Sequence, residues 1–144
     1  MTTFIGIDPG AHGAFAINTA GAWQVEDLPR RDDGSFDAAA LHAVLAAIPR
    51  PLAAALERPL PFVVTNAGSI LKLGQSYGAL LACLQIVPNM TVRTPSARAW
   101  KAGMKLTSEK ALSVARAREV LGFRENQRLR HDKAEEVMLA EWCR

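Results

Sequence analysis

Cysteine is scarce. Cys83 and Cys143 are the two in 144 residues, and their separation matches neither a metal-ligand spacing nor a disulfide framework. Zinc-ribbon and disulfide-stapled classes are excluded on that ground. Cys83 stands in an apolar stretch, where a free thiol is usually a small core residue. No apolar run approaches the ~20 residues needed to cross a bilayer. The opening Met1-Thr-Thr-Phe-Ile5 lacks a basic segment followed by an apolar one, so no secretory leader is expected. The expectation is a soluble, cytoplasmic protein with no membrane partner. Internal repeats and low-complexity linkers are also missing, so residues 1–144 are expected to form one domain. With 49% hydrophobic residues, the chain can bury a real core and is not globally disordered.

Acid is not in excess either. The formal net charge is +3 and the pI about 9.2, a mild basic balance that suits a polyanionic partner. The cations are concentrated. Arg93, Arg98, Lys101, Lys105, Lys110, Arg116, Arg118, Arg124, Arg128 and Arg130 follow one another, offset by Glu109, Glu119 and Glu125. Such a stretch reads as a basic surface, or as an ordinary solvated helical face.

The chain alternates between strand and helix signals. Phe4 to Asp8 reads as a strand stopped by Pro9-Gly10, Gly13 to Asn18 as a second and Ala22 to Leu28 as a third. The polar break from Asn18 to Gly21 suggests a hairpin between the last two. Asp37 is a good N-cap for a helix ending before Pro49. Leu52 to Glu57 has helix-favouring residues, yet the prolines at 49, 51, 59 and 61 fence it to strand length. Asn66 to Gln85 has the spacing of a long helix, with Ile70, Leu73, Tyr77, Leu80, Leu81 and Leu84 near one face. Gly74 and Gly78 would let it pack closely. Met90 to Arg93 reads as a strand, and Thr94-Pro95 as the start of a short helix. Thr107 or Ser108 opens another helix, closed by Gly122. The last runs from about Arg130 to Trp142, with Ala134, Val137, Met138 and Trp142 apolar. The fold class is α/β with a mixed sheet.

Two acids stand where charge is costly. Strand alternation puts Phe4, Gly6 and Asp8 on one face and Ile5 and Ile7 on the other. Asp8 and Glu57 both close apolar strands, and a carboxylate there needs a partner or a cation. Ligands in open α/β sheets gather at strand carboxyl ends. Asp132 and Glu135, three apart, share a helical face, and Glu136 lies four from Asp132. Carboxylate-only sites select hard cations such as Mg²⁺ or Mn²⁺. A pair of such ions serves in-line phosphodiester displacement. Ordinary readings stand beside this one. Asp8 can cap its turn, Glu57 can pair with Arg58, and the helical acids can answer the helix dipole.

The same residues resemble the RuvC family of Holliday-junction resolvases. Ile5-Gly-Ile-Asp-Pro-Gly10 resembles the family's opening strand and turn, and Leu56-Glu57 its second acidic motif. Leu71-Lys-Leu-Gly-Gln75, with Gly78 and the Ala/Leu run after it, resembles the central helix. Ser108-Glu-Lys110 resembles a basic motif, and Asp132-Lys-Ala-Glu135 the closing acidic pair. The motifs keep their order from about residue 3 to residue 142.

This resemblance implies a ribonuclease H-like fold with a five-stranded mixed sheet flanked by helices. It implies a homodimer that nicks four-way junctions, and other branched DNA, with Mg²⁺ or Mn²⁺ as its substitute. Asp8, Glu57, Asp132 and Glu135 match the metal-binding acids, and Lys101 and Lys110 match lysines that meet the scissile backbone. Arg98 and Lys105 extend that basic surface. Three features depart from the family. Glu135 stands where bacterial members usually have Asp, and Glu136 offers a second choice of fourth ligand. Phe62 is displaced from the place of an aromatic that stacks at the junction centre. Such departures resemble phage-type members, which work in the host cytoplasm. His131, beside Asp132, is either a proton or phosphate contact or an exposed helix residue. Trp100 and Tyr77 are expected to pack. The alternatives are a branched-DNA-binding module with weakened catalysis and a nuclease acting on RNA–DNA hybrids. A sugar-kinase-like enzyme would need a second half that this length does not hold.

Overall fold

A computed structural model describes residues 1–10, 12–60, 66–122 and 131–144, with side chains from residue 133 onward in the last segment. The first three strands are β1 (Thr3–Ile7), β2 (Ala14–Thr19) and β3 (Ala22–Asp27). β2 and β3 form a hairpin in which Thr19 pairs with Ala22. Its two turn residues, Ala20 and Gly21, have φ of 55° and 90°, the left-handed geometry that matches the twist of the strands. Asn18 Oδ1 accepts the Gly21 N–H at 2.9 Å and closes the turn.

Helix α1 (Ala38–Ala46) starts at Asp37, whose carboxylate accepts the Ala40 N–H at 3.0 Å. Strand β4 (Leu52–Leu56) follows, then α2 (Ala67–Gln85), β5 (Met90–Arg93), α3 (Ala97–Gly103), α4 (Lys110–Leu121) and α5 (His131–Cys143). The strands lie in the order β3-β2-β1-β4-β5. The first three are antiparallel neighbours, and β1, β4 and β5 are parallel. Helix-favouring Leu52–Leu56 becomes a strand because both its edges are taken by ladders, an interaction that outweighs a weak propensity.

Two apolar cores cover the two faces. Ile5, Ile7, Leu52, Ala54 and Leu56 pack with Leu41 and Leu45 of α1 and Leu80, Cys83 and Leu84 of α2. On the other face Ala16, Ala55 and the half-buried Phe4 and Ala53 pack with Trp100, Ala117 and the α5 residues Ala134, Val137, Met138 and Leu139. Small side chains lie under α5. They let its backbone come down on the centre of the sheet, where Gly6 and Ala55 are register partners.

Two helix starts move from where the sequence suggests. The chain stays extended through Thr94-Pro95 because Arg58 N donates to Pro95 O at 2.8 Å and Arg58 bridges Ser96 in parallel. Ser96, not Thr94, is the cap of α3. Thr107 Oγ1 accepts the Glu109 N–H at 3.2 Å in a turn before α4, so that helix begins at Lys110 and ends at Gly122 with φ 66°. In α2 the buried residues are Leu80, Cys83 and Leu84. Ile70 stays 42% exposed. Gly74 and Gly78 face open space rather than a packed neighbour.

Candidate active site

Alternation and register bring the first two acids together. Asp8 follows β1 on the side of Phe4 and Gly6, and Glu57 follows β4 on the side of Ala53 and Ala55. Ile7 pairs with Leu56 in parallel, and the Glu57 N–H donates to Ile7 O at 3.0 Å. Asp8 and Glu57 are therefore neighbours at the carboxyl ends of adjacent parallel strands, on the face that α5 covers. Asp8 also caps its turn, accepting the Gly10 N–H at 2.9 Å. The capping contact leaves Asp8 at the end of β1, beside Glu57.

Glu57 does not pair with Arg58. Trp100 Nε1 donates to its Oε2 at 2.7 Å, from a ring that is fully buried. Lys101, the next residue of α3, places its Nζ 2.6 Å from Glu135 Oε1 of α5. Burial pushes the Glu57 carboxyl above its ordinary range. The charges of Asp8 and Glu135 push it the same way, while the Trp100 hydrogen bond and Lys101 oppose the rise. Asp8, Glu57, Glu135, Trp100 and Lys101 thus form one electrostatic cluster drawn from β1, β4, α3 and α5.

A stability effect follows from that cluster. A carboxyl raised in the folded state favours folding below its ordinary pKa, and the benefit is lost as pH rises through the raised value. At pH 7 an ionised Glu57 is a burden. With divalent cations chelated, Glu57→Gln is expected to raise Tm at pH 7, since the amide oxygen can still accept from Trp100. The gain should shrink toward pH 4. A lower Tm at pH 7, or a gain that does not depend on pH, would disprove this account of Glu57.

Among the described residues, no three His, Cys, Asp or Glu side chains stand close enough to share a metal ion. The donor chemistry nevertheless fits a hard divalent cation. The nearby groups are carboxylates, and burial beside like charges is the condition a cation relieves. Asp132 lies in the first turn of α5, and its side chain is outside the described atoms. Glu136 is fully buried, whereas Glu135 meets Lys101.

The remaining sequence candidates scatter. Arg98 and Lys105 are exposed around α3, and Lys110 is exposed at the start of α4. Phe62 and the arginines at 124, 128 and 130 lie outside the described residues. Sequence reasoning assigned Trp100 to packing alone. The signal available was a carboxylate closing an apolar strand, which needs a buried donor, and a tryptophan beside a lysine. Among the described residues, no helix is long and apolar enough to cross a membrane.

No family model and no curated protein matches the chain. Solved structures do. RuvC of Thermus thermophilus in complex with a Holliday junction substrate superposes with a TM-score of 0.70 at 20% identity, over 97% of this chain and 91% of that one. A second Thermus thermophilus RuvC structure gives a TM-score of 0.68 at 21% identity, over 97% of this chain and 92% of that one. With its five-stranded mixed sheet between helices, the chain has the fold of RuvC, a ribonuclease H-like fold.

Proposed function

We propose that the protein is a divalent-metal-dependent endonuclease that nicks four-way DNA junctions and related branched DNA. The observation that carries this reading is the cluster of Asp8, Glu57 and Glu135 at the carboxyl end of the central strands of a RuvC-like fold. Asp8, Glu57, Asp132 and Glu135 are the residues that would hold Mg²⁺, or Mn²⁺ in its place. When bound there, such a cation would supply Lewis-acid activation of water and offset charge at the phosphodiester. Trp100 fixes the Glu57 carboxylate, which sets the geometry of the acid without adding charge. Lys101 is poised between Glu135 and the substrate, and with Lys110, Arg98 and Lys105 it neutralises backbone phosphates. Phosphate contacts position DNA without reading its sequence, so selectivity comes from shape.

The protein acts as a homodimer, placing one site on each of two opposed strands. Support comes from α2, where Ile70, Gly74 and Gly78 recur on one side. Ile70 and Leu71 are 42% and 63% exposed there, and both glycines are open.

The test is a gel assay on end-labelled four-way junctions, linear duplex, a fork and an RNA–DNA hybrid, with and without Mg²⁺. Paired, metal-dependent nicks near the crossover are expected. Binding without cutting, even with Mn²⁺, would leave a branched-DNA-binding module. Cutting of the hybrid alone would move the substrate and keep the site.

A further inference from the structure

Outside residues 93–130 the chain has few cations, and Arg30, Arg31 and Lys72 line one cleft. The cleft holds about 930 Å³. One wall is the loop between β3 and α1, the other is the side of α2 that carries Ser69, Lys72 and Ser76, and the floor is the Pro9-Gly10 turn. That turn leads straight to the candidate active site, because the Gly10 N–H is bonded to the Asp8 carboxylate at 2.9 Å.

Polar bonds hold the walls in place. Ser76 Oγ donates to Pro9 O at 3.1 Å and ties α2 to the turn. The Arg30 guanidinium reaches Gly34 O at 3.0 Å and Gly10 O at 3.4 Å, joining the loop to the same turn. Asp33 is the acid on the cleft, and its Oδ1 is taken up by Ser35, from N at 2.8 Å and Oγ at 2.6 Å. Arg31 and Lys72 are exposed and make no salt bridge among the described residues. The cleft therefore presents two exposed cations, Arg31 near Asp33 and Lys72 on α2, beside the turn that follows Asp8.

We propose that this cleft is a second binding site for the DNA backbone, which receives the strand as it leaves the candidate active site. It lies on the α1–α2 side of the sheet, whereas Lys101 and the α3–α5 cations lie on the other. DNA would be gripped on both sides of the cut position rather than by the basic stretch alone. Arg30 acts here as a positioning residue for the turn, and Arg31 and Lys72 make the phosphate contacts. The site rests on the nuclease reading, because its occupant is the substrate of that reading.

The experiment measures the Kd of a labelled four-way junction for the full chain across a series of salt concentrations, with EDTA present. The variants are Arg31→Ala/Lys72→Ala, Arg31→Lys/Lys72→Arg, and Arg144→Gln as a change of charge far from the cleft. The alanine pair is expected to weaken binding about tenfold or more and to flatten the slope of log Kd against log salt by about two, as for two lost phosphate contacts. The charge-keeping pair should bind like wild type, which separates loss of contact from loss of fold. If wild type binds the junction and the alanine pair matches Arg144→Gln in both Kd and slope, the cleft is not a DNA site and the nuclease reading is untouched. If wild type binds no DNA at any salt, both fall.

Discussion

Asp8→Asn is expected to lower junction cutting by about a thousandfold or more, roughly 4 kcal/mol of barrier, while the junction Kd stays within about threefold of wild type. The asparagine keeps the shape of the side chain, and its carbonyl oxygen can still accept the Gly10 N–H that Asp8 accepts at 2.9 Å. The turn and the cleft beside it are thus preserved. What is lost is one negative charge at the carboxyl end of β1, in a cluster whose carboxylates are the donor type that suits a hard cation. Binding should survive because it depends on cations and phosphates rather than on this acid. Parallel gel-shift and cleavage assays with Mg²⁺ decide the matter. Loss of binding together with cutting would make Asp8 a structural residue, and retained cutting would remove it from the site.

Gly6→Ala is expected to destabilise the fold severely. A Cβ at Gly6 would sit 2.1 Å from Glu136 O and 2.5 Å from Ala140 N. Both are backbone atoms of α5, so no side chain can rotate out of the way and the whole helix must lift from the sheet. Overpacking a core commonly costs about 1–3 kcal/mol. Displacing α5 also uncovers Ala134, Val137, Met138 and Leu139, all almost fully buried. The expected loss exceeds about 4 kcal/mol, a large share of the roughly 5–15 kcal/mol that stabilises a typical domain. Chemical denaturation of the purified variant measures it. A midpoint close to that of wild type would show that α5 does not depend on contact at Gly6. The same approach places Glu135, because α5 bears that acid and must lie close to β1 for it to reach Lys101 and influence Glu57.

Much of the fold was legible in the residues. The prolines around Leu52–Leu56, the Asn18–Gly21 break and the Asp37 cap each act locally, and local signals survive in any tertiary setting. The starts of α3 and α4 were less legible. Arg58 holds Pro95 in an extended segment, and that is a contact between residues far apart in the chain. The spacing of Ile70, Leu73, Tyr77, Leu80, Leu81 and Leu84 puts them near one face of α2. The structure buries only its later turns, since periodicity records which side is apolar and not how far the opposing core extends.

The site divides in the same way. Asp8 and Glu57 stood out because each is a charge closing an apolar strand, a cost computable without coordinates. Trp100 did not, because its neighbours do not single out Glu57, 43 positions earlier in the chain, as the carboxylate it bonds. Nor did Arg31 and Lys72, which become one surface only when α2 lies against the Pro9-Gly10 turn. By itself the sequence determined the alternation of strands and helices, which faces are apolar, and which acids need an explanation. These follow from local sterics and from the free energy of burying charge. Only the tertiary structure decided the parallel register that sets Glu57 beside Asp8, the close approach of α5 over Gly6, and the cleft beside the Pro9-Gly10 turn, because each is fixed by packing between segments that no local rule connects.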